Sequence, residues 1–244
     1  MIRTLLDRVE ASAALPAELR RLYDGDLGFR EGVSANFVET LDGVVSYALP
    51  GQEGGGVISG RDPGDRFIMD LLRASADAIV VGAKTFAAVP ASATWVPGEI
   101  YPAARGAYAA YRREELGKVR PPLLVVVSGL GRVALPEGAV RMASPEEVVP
   151  RLRAEFGARH ILLEGGPRLF GEFVAAGGVD ELFLTLSPQL AGRATGGGRP
   201  GLIEGLGFTP EQAPWLRLAS VKVGERGHLY LRYGAAAPPF TVHG

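Results

Sequence analysis

What most constrains this chain is a repeated pattern. Short apolar runs end on glycine or a small polar residue just ahead of a helix-like segment. Ala78-Ile-Val-Val81 stops at Gly82, Leu123-Leu-Val-Val-Val127 at Ser128-Gly129, and His160-Ile-Leu-Leu163 at Glu164-Gly-Gly166. Runs this short and this rich in β-branched residues suit strands buried on both faces of a parallel sheet. Parallel strands need crossover connections, and helix-period segments supply them. Asp65–Ala74 carries Phe67, Ile68, Leu71 and Leu72 on one face, and Ser144–Phe156 opens with a cap, a proline and Glu147 before Gly157 ends it. Leu169–Ala176 is a third helix. Val33–Val38 alternates with period two, and Glu181–Ser187 adds another strand. Leu216–Val223 and His228–Tyr233 read as an antiparallel hairpin turning near Gly224–Gly227.

The expected architecture is one α/β domain over residues 31–234, with a mostly parallel central sheet flanked by helices and closed by that hairpin. Residues 1–30 read as a helical leader packed on the domain, since Leu15, Leu19 and Leu22 have helical spacing behind Pro16. Residues 235–244 read as a frayed tail. Residues 50–60, with five glycines, and 191–201 read as loops, and 90–120 as loop and irregular helix.

Composition removes several function classes. The absence of cysteine excludes disulfides, thiolate zinc sites and a cysteine nucleophile. His160, His228 and His243 are not paired at ligand spacing, so no metal is expected. A net charge of −1 gives no field for nucleic acid or an anionic membrane. The charged start, Met-Ile-Arg-Thr-Leu-Leu-Asp-Arg, is unlike a signal peptide, and no apolar run approaches membrane-spanning length. A soluble, cytoplasmic protein is expected.

In an open parallel sheet the C-terminal strand ends share one edge, where ligands bind. Gly82-Ala-Lys-Thr85, Ser128-Gly129 and Glu164-Gly-Gly166 can therefore converge. Two of these are glycine turns opening helices. Such turns bring backbone N–H groups and a helix dipole to a phosphate, so a dinucleotide is a natural ligand. Gly196, Gly198 and Gly201 also match G-x-G-x-x-G. No strand immediately precedes them, and the match is read as chance.

Four motifs in order carry a resemblance: Asn36…Thr40-Leu-Asp-Gly43, Leu72-Arg-Ala-Ser-Ala-Asp-Ala-Ile-Val-Val-Gly82, the Gly82-Ala-Lys-Thr85 turn, and Leu163-Glu-Gly-Gly-Pro-Arg-Leu169. Over residues 33–232 the chain resembles the riboflavin-biosynthesis pyrimidine reductases, which share the dihydrofolate reductase fold. The resemblance implies that NADPH reduces the ribose of a 5-amino-6-(5-phosphoribosylamino)pyrimidine to a ribityl chain, without metal or flavin. It implies cofactor contacts at Gly82, Thr85, Gly165, Gly166 and Leu169, with Ser128, Arg132 and Lys84 as candidates for the 2′-phosphate. Lys84 is equally readable as a solvated first-turn lysine. Asp42 and Glu164 are the implied catalytic carboxylates, and Asn36, Ser59 and Arg73 the implied substrate contacts. Asp42 can also be read as a plain Asp-Gly turn, and Arg73 as a surface helix arginine. A homodimer is expected from the family.

One departure bears on the substrate. Bifunctional members of the family carry Asp-Pro and then an arginine after the Gly-x-x-Thr turn. Here Val89 holds the Asp position and no arginine appears before Arg105. The family's zinc-dependent deaminase domain has no counterpart in these residues. A reductase of the same fold acting on another pterin- or pyrimidine-like substrate is the alternative.

Overall fold

The computed structural model describes residues 1–9, 14–28, 30–89, 93–129, 133–195 and 198–235. Five parallel pairings build its centre. The strands are β1 (Ile2–Asp7), β2 (Gly32–Thr40), β3 (Ala78–Gly82), β4 (Leu123–Val127), β5 (Val140–Met142), β6 (His160–Leu163), β7 (Glu181–Ser187), β8 (Leu216–Gly224) and β9 (Leu229–Ala235). They form a single sheet in the order β1-β8-β9-β7-β2-β6-β3-β4-β5. From β7 to β5 every neighbour is parallel. The β8–β9 hairpin and β1 add an antiparallel edge. The helices are α1 (Ala17–Tyr23), α2 (Gly55–Ile58), α3 (Pro63–Ser75), α4 (Ala83–Ala87), α5 (Arg105–Ala110), α6 (Pro145–Phe156) and α7 (Pro167–Ala175). A 3-10 turn precedes α5 and a π-helical turn follows it, in the stretch expected to be irregular.

The sheet separates two apolar layers. On one face Leu19, Phe67, Leu71, Ile79, Val81 and Leu162 pack with α1, α3 and α5. On the other Val33, Ala35, Phe37, Val80, Leu163, Leu152 and Phe173 pack with α6 and α7. Local chemistry sets the helix ends. The Asp62 carboxylate accepts from the amides of Gly64 and Asp65 to start α3, with Pro63 behind it. Ser144 and Glu147 make a capping box at α6, and Gly157 ends it with φ of 63°.

Two expectations need correction. The N-terminal segment is helical only at α1, where Leu15 and Leu19 are buried; Ile2–Asp7 is a strand. It pairs with β8 from Ile2 opposite Gly224 to Asp7 opposite Ser220, and so satisfies an edge that would otherwise stand open. Residues 50–60 also contain the short helix α2. The tail beyond Ala235 lies outside the described residues.

Two buried cations bolt the N-terminal segment to the hairpin. Lys222 donates from Nζ to the Thr4 hydroxyl at 2.7 Å and the Asp24 carbonyl at 3.0 Å, above the Tyr23 ring. Arg232 reaches both Glu181 oxygens at 2.7 and 2.8 Å and the Gly28 carbonyl at 2.9 Å. No helix among the described residues is long and apolar enough to cross a membrane.

Candidate active site

The three predicted strand ends lie side by side. β3 stands between β6 and β4, with Val80 opposite Leu163 and Gly82 opposite Val127. Gly82 caps the N-terminus of α4 and Gly166 that of α7, and neither helix start receives a side-chain cap. First-turn amides are thus left for another acceptor. Close neighbours leave little room for a side chain at the two glycines of the α7 turn. A Cβ on Gly165 would fall 2.7 Å from Leu169 Cδ2 and 3.2 Å from Leu169 Cβ. On Gly166 it would fall 3.1 Å from Thr85 Oγ1, and on Gly82 3.8 Å from Leu169. Gly82, Thr85, Gly165, Gly166 and Leu169 therefore form one continuous surface. A β-carbon at either glycine of the α7 turn would fill it, and that cradle fits a diphosphate. Lys84 is exposed beside it, and Ser128 is buried at the end of β4 with its amide on the Met142 carbonyl. Arg132 lies outside the described residues.

Glu164 and Arg73 form a buried bidentate pair. Arg73 donates from Nε to Oε1 at 2.8 Å and from Nη2 to Oε2 at 2.7 Å. Both residues are buried, Arg73 at 4% exposure, so the surface-helix reading of Arg73 is set aside. Burial by itself disfavours the guanidinium charge; the facing Glu164 and Asp70 carboxylates outweigh it and hold the Arg73 pKa above its ordinary value. Asp70 accepts from the Ile100 and Tyr101 amides through Oδ2 and is pushed up chiefly by its own burial. Ala35 opposite Leu163 sets Asn36, midway along β2, next to Glu164 just past the end of β6. Val33, Ala35 and Phe37 face the α7 layer, so half-buried Asn36 faces the α3 layer, as Glu164 does.

Asp42 sits apart, beyond the end of β2. Its Oδ1 accepts from the Thr40 hydroxyl at 2.6 Å and the Ala191 amide at 3.0 Å, and Oδ2 accepts from the Gly192 amide at 2.6 Å. The Thr40 hydroxyl first, and then the Ala191 amide, hold this carboxyl far below the usual carboxylate range. A group held so low stays ionised near neutral pH and is poorly matched to proton transfer there. Its visible work is to pin the 189–193 loop to the β2 turn. The depressed pKa stabilises the fold at pH above the unfolded carboxylate value, about 4, and that contribution is lost as pH falls through the folded value. Asp42→Asn should therefore lower Tm at neutral pH, with the gap to the native protein closing under strong acid. A thermal scan against pH checks this, and a gap independent of pH would count against the tie.

Ser59 is buried at the end of α2, where its carbonyl meets His228 Nε2 at 2.9 Å, so that nitrogen carries the proton. Its hydroxyl donates to the Gly56 carbonyl at 3.4 Å, and the Asp65 carboxyl is raised above its ordinary value chiefly by burial. The structure thus gathers Gly82, Thr85, Gly165, Gly166 and Leu169 at one place, with the Arg73–Glu164 pair and Asn36 beside them. It sets Ser59 and Asp42 on the loops around that edge.

The profile of the RibD C-terminal domain matches residues 32–230, most of the chain. The chain belongs to the RibD C-terminal domain family. That domain is the reductase domain of riboflavin biosynthesis. Among solved structures, a pyrimidine reductase-like protein of Corynebacterium diphtheriae is similar at 19% identity with a TM-score of 0.61, over 85% of this chain and 92% of that one. Acinetobacter baumannii RibD is similar at 16% identity with a TM-score of 0.61, over 90% of this chain and 62% of that one, so this chain spans about three fifths of that RibD. Schistosoma mansoni dihydrofolate reductase aligns at 13% identity with a TM-score of 0.54, over 84% of this chain and 99% of that one. The fold is the dihydrofolate reductase fold at these levels of identity. No curated protein matches.

Sequence reasoning about this RibD C-terminal domain missed Asp70 and Trp95. Asp70 follows Phe67 by three positions and precedes Ala74 by four, which puts a carboxylate on the apolar stripe of α3. That spacing was the available signal. Trp95 offered none, because its place depends on a loop folding back over α3.

Proposed function

We propose that this chain is an NADPH-dependent reductase that converts the ribose of a 5-amino-6-(5-phosphoribosylamino)pyrimidine to the ribityl form. The observation that carries the reading is the joining of two surfaces beside the ends of β3 and β6. One is the glycine cradle of Gly82, Gly165 and Gly166, and the other is the polar set of Asn36, Arg73 and Glu164.

In this reading the α4 and α7 first turns and Thr85 hold the diphosphate, and Leu169 backs the surface they make. Ser128 and Lys84, with Arg132, receive the 2′-phosphate. A reduced nicotinamide bound there supplies a hydride. Glu164 keeps a free lone pair on each oxygen after bonding Arg73, so it can accept from sugar hydroxyls while its plane stays fixed. Asn36 offers one donor and one acceptor group to the same sugar. Together they orient C1′ as the furanose opens, which is the contribution expected of groups held rigid by neighbours. Ser59 and the 189–193 loop pinned by Asp42 bound the substrate's far end. The chain acts as a cytoplasmic homodimer in this reading.

The test is loss of reduced-nicotinamide absorbance on adding the phosphoribosylamino-pyrimidine, with the ribityl product identified by mass. NADPH should be preferred over NADH. Tight NADPH binding with no turnover of that pyrimidine would favour the second reading, a reductase of another pterin- or pyrimidine-like substrate. Val89 at the family's aspartate position is the observation behind that alternative.

A further inference from the structure

The segment from Thr94 to Tyr101 is strapped across α3. Glu99 accepts from the Thr94 amide and hydroxyl and from the Trp95 amide, at 2.9 to 3.0 Å. Asp70 Oδ2 accepts from the amides of Ile100 at 2.9 Å and Tyr101 at 2.6 Å. Between these anchors Trp95 holds φ of 58°, a left-handed conformation unusual for a bulky residue. Such a backbone persists only where its surroundings over-determine it.

The strap delivers an indole ring to one place. Trp95 is 5% exposed, and its ring centre lies 4.9 Å from the Arg73 guanidinium carbon. It also stacks on Phe86 with centroids 6.5 Å apart and planes within 18°. Phe86 follows Thr85 directly on α4. Arg73 spends Nε and Nη2 on Glu164, while its Nη1 stands 4.0 Å from Asp70 Oδ1, beyond hydrogen-bond range. Asp70 Oδ1 has no hydrogen-bond partner. A second carboxylate bond therefore does not set the guanidinium plane. The flat face that covers the guanidinium is the indole, and guanidinium planes stack on such faces.

We propose that Trp95 is a positioning residue. It fixes the plane of Arg73, and through it the two Glu164 oxygens, and it couples that alignment through Phe86 to the α4 turn that holds the cofactor. The proposal rests on the reductase reading above. It goes beyond it in giving the strap a part in catalysis without contact to the reacting atoms.

The chain has two tryptophans, and Trp215 is 84% exposed, so Trp215→Phe leaves Trp95 as a sole reporter. In that variant NADPH should quench Trp95 emission along the same binding curve that the nicotinamide fluorescence follows. Trp95→Leu removes the aromatic face and Trp95→Phe keeps part of it. In Trp95→Leu kcat should fall by about tenfold or more, with the Kd for NADPH unchanged within error and the circular dichroism native. Trp95→Phe should recover part of the loss. Native kcat in folded Trp95→Leu would overturn the positioning role, as would an equal loss in both variants. Trp95 emission indifferent to bound NADPH would overturn the coupling to α4. If the native protein neither bound NADPH nor turned over the pyrimidine, the reductase reading itself would fail, and the native protein alone would reveal it.

Discussion

Arg73→Met is expected to cost the fold about 3–5 kcal/mol, the penalty for leaving one partner of a buried ion pair uncompensated. Glu164 would then sit at 6% exposure with no cation, after losing hydrogen bonds of 2.7 and 2.8 Å. Methionine fills much of the arginine's volume, so the loss reports charge rather than a cavity. The double variant Arg73→Met with Glu164→Gln removes the stranded charge and should recover most of the stability. It should recover none of the turnover, because the fixed acceptor pair is gone. Urea denaturation of the two single variants and the double variant, set out as a cycle, measures the coupling. A single Arg73→Met within about 1 kcal/mol of the native protein, the range of an exposed pair, would show that Glu164 is not held as described.

Gly165→Val should weaken cofactor binding by at least about tenfold while leaving the fold in place. The added Cβ meets Leu169 at 2.7 Å on a movable methyl, but at 3.2 Å on Leu169 Cβ, which no rotamer change relieves. The first turn of α7 must therefore shift, and with it the amides proposed to face the diphosphate. Losing one hydrogen bond to a charged group costs about 1.5–3 kcal/mol, so the Kd for NADPH should rise by about tenfold to about a hundredfold. Gly166→Ala, whose Cβ meets the Thr85 hydroxyl at 3.1 Å, should do less because that hydroxyl can turn away. Fluorescence titration with NADPH reads both variants. A native Kd in Gly165→Val would move the cofactor away from α7.

Much of this fold was legible because its rules are local. The runs at 123–127, 160–163 and 181–187 form strands within the boundaries their composition suggested, and Gly157 ends α6 in the left-handed conformation expected of it. β1 was not legible, because a short edge strand with an exposed Leu5 carries little periodic signal and exists by pairing with β8. The same holds for Lys222 and Arg232. Each occupies an inward position of its strand, yet a charge there reads as solvated until its partners at Thr4, Asp24 and Glu181 are known.

The site divides along the same line. Periodicity and glycine placement were enough to predict that the strands ending at Gly82, Val127 and Leu163 lie side by side and that two of them turn through glycine into helices, as they do. Only the tertiary structure decided what each charged group does. Arg73 is 91 residues from Glu164 and is its buried partner, while Asp42, held low first by the nearby Thr40 hydroxyl, also binds the Ala191 amide 149 residues away. Secondary structure follows from neighbours within a turn or a pleat. The state of a carboxylate follows from whichever donors and charges the folded chain brings within about 4–6 Å of it, and only the fold sets that distance.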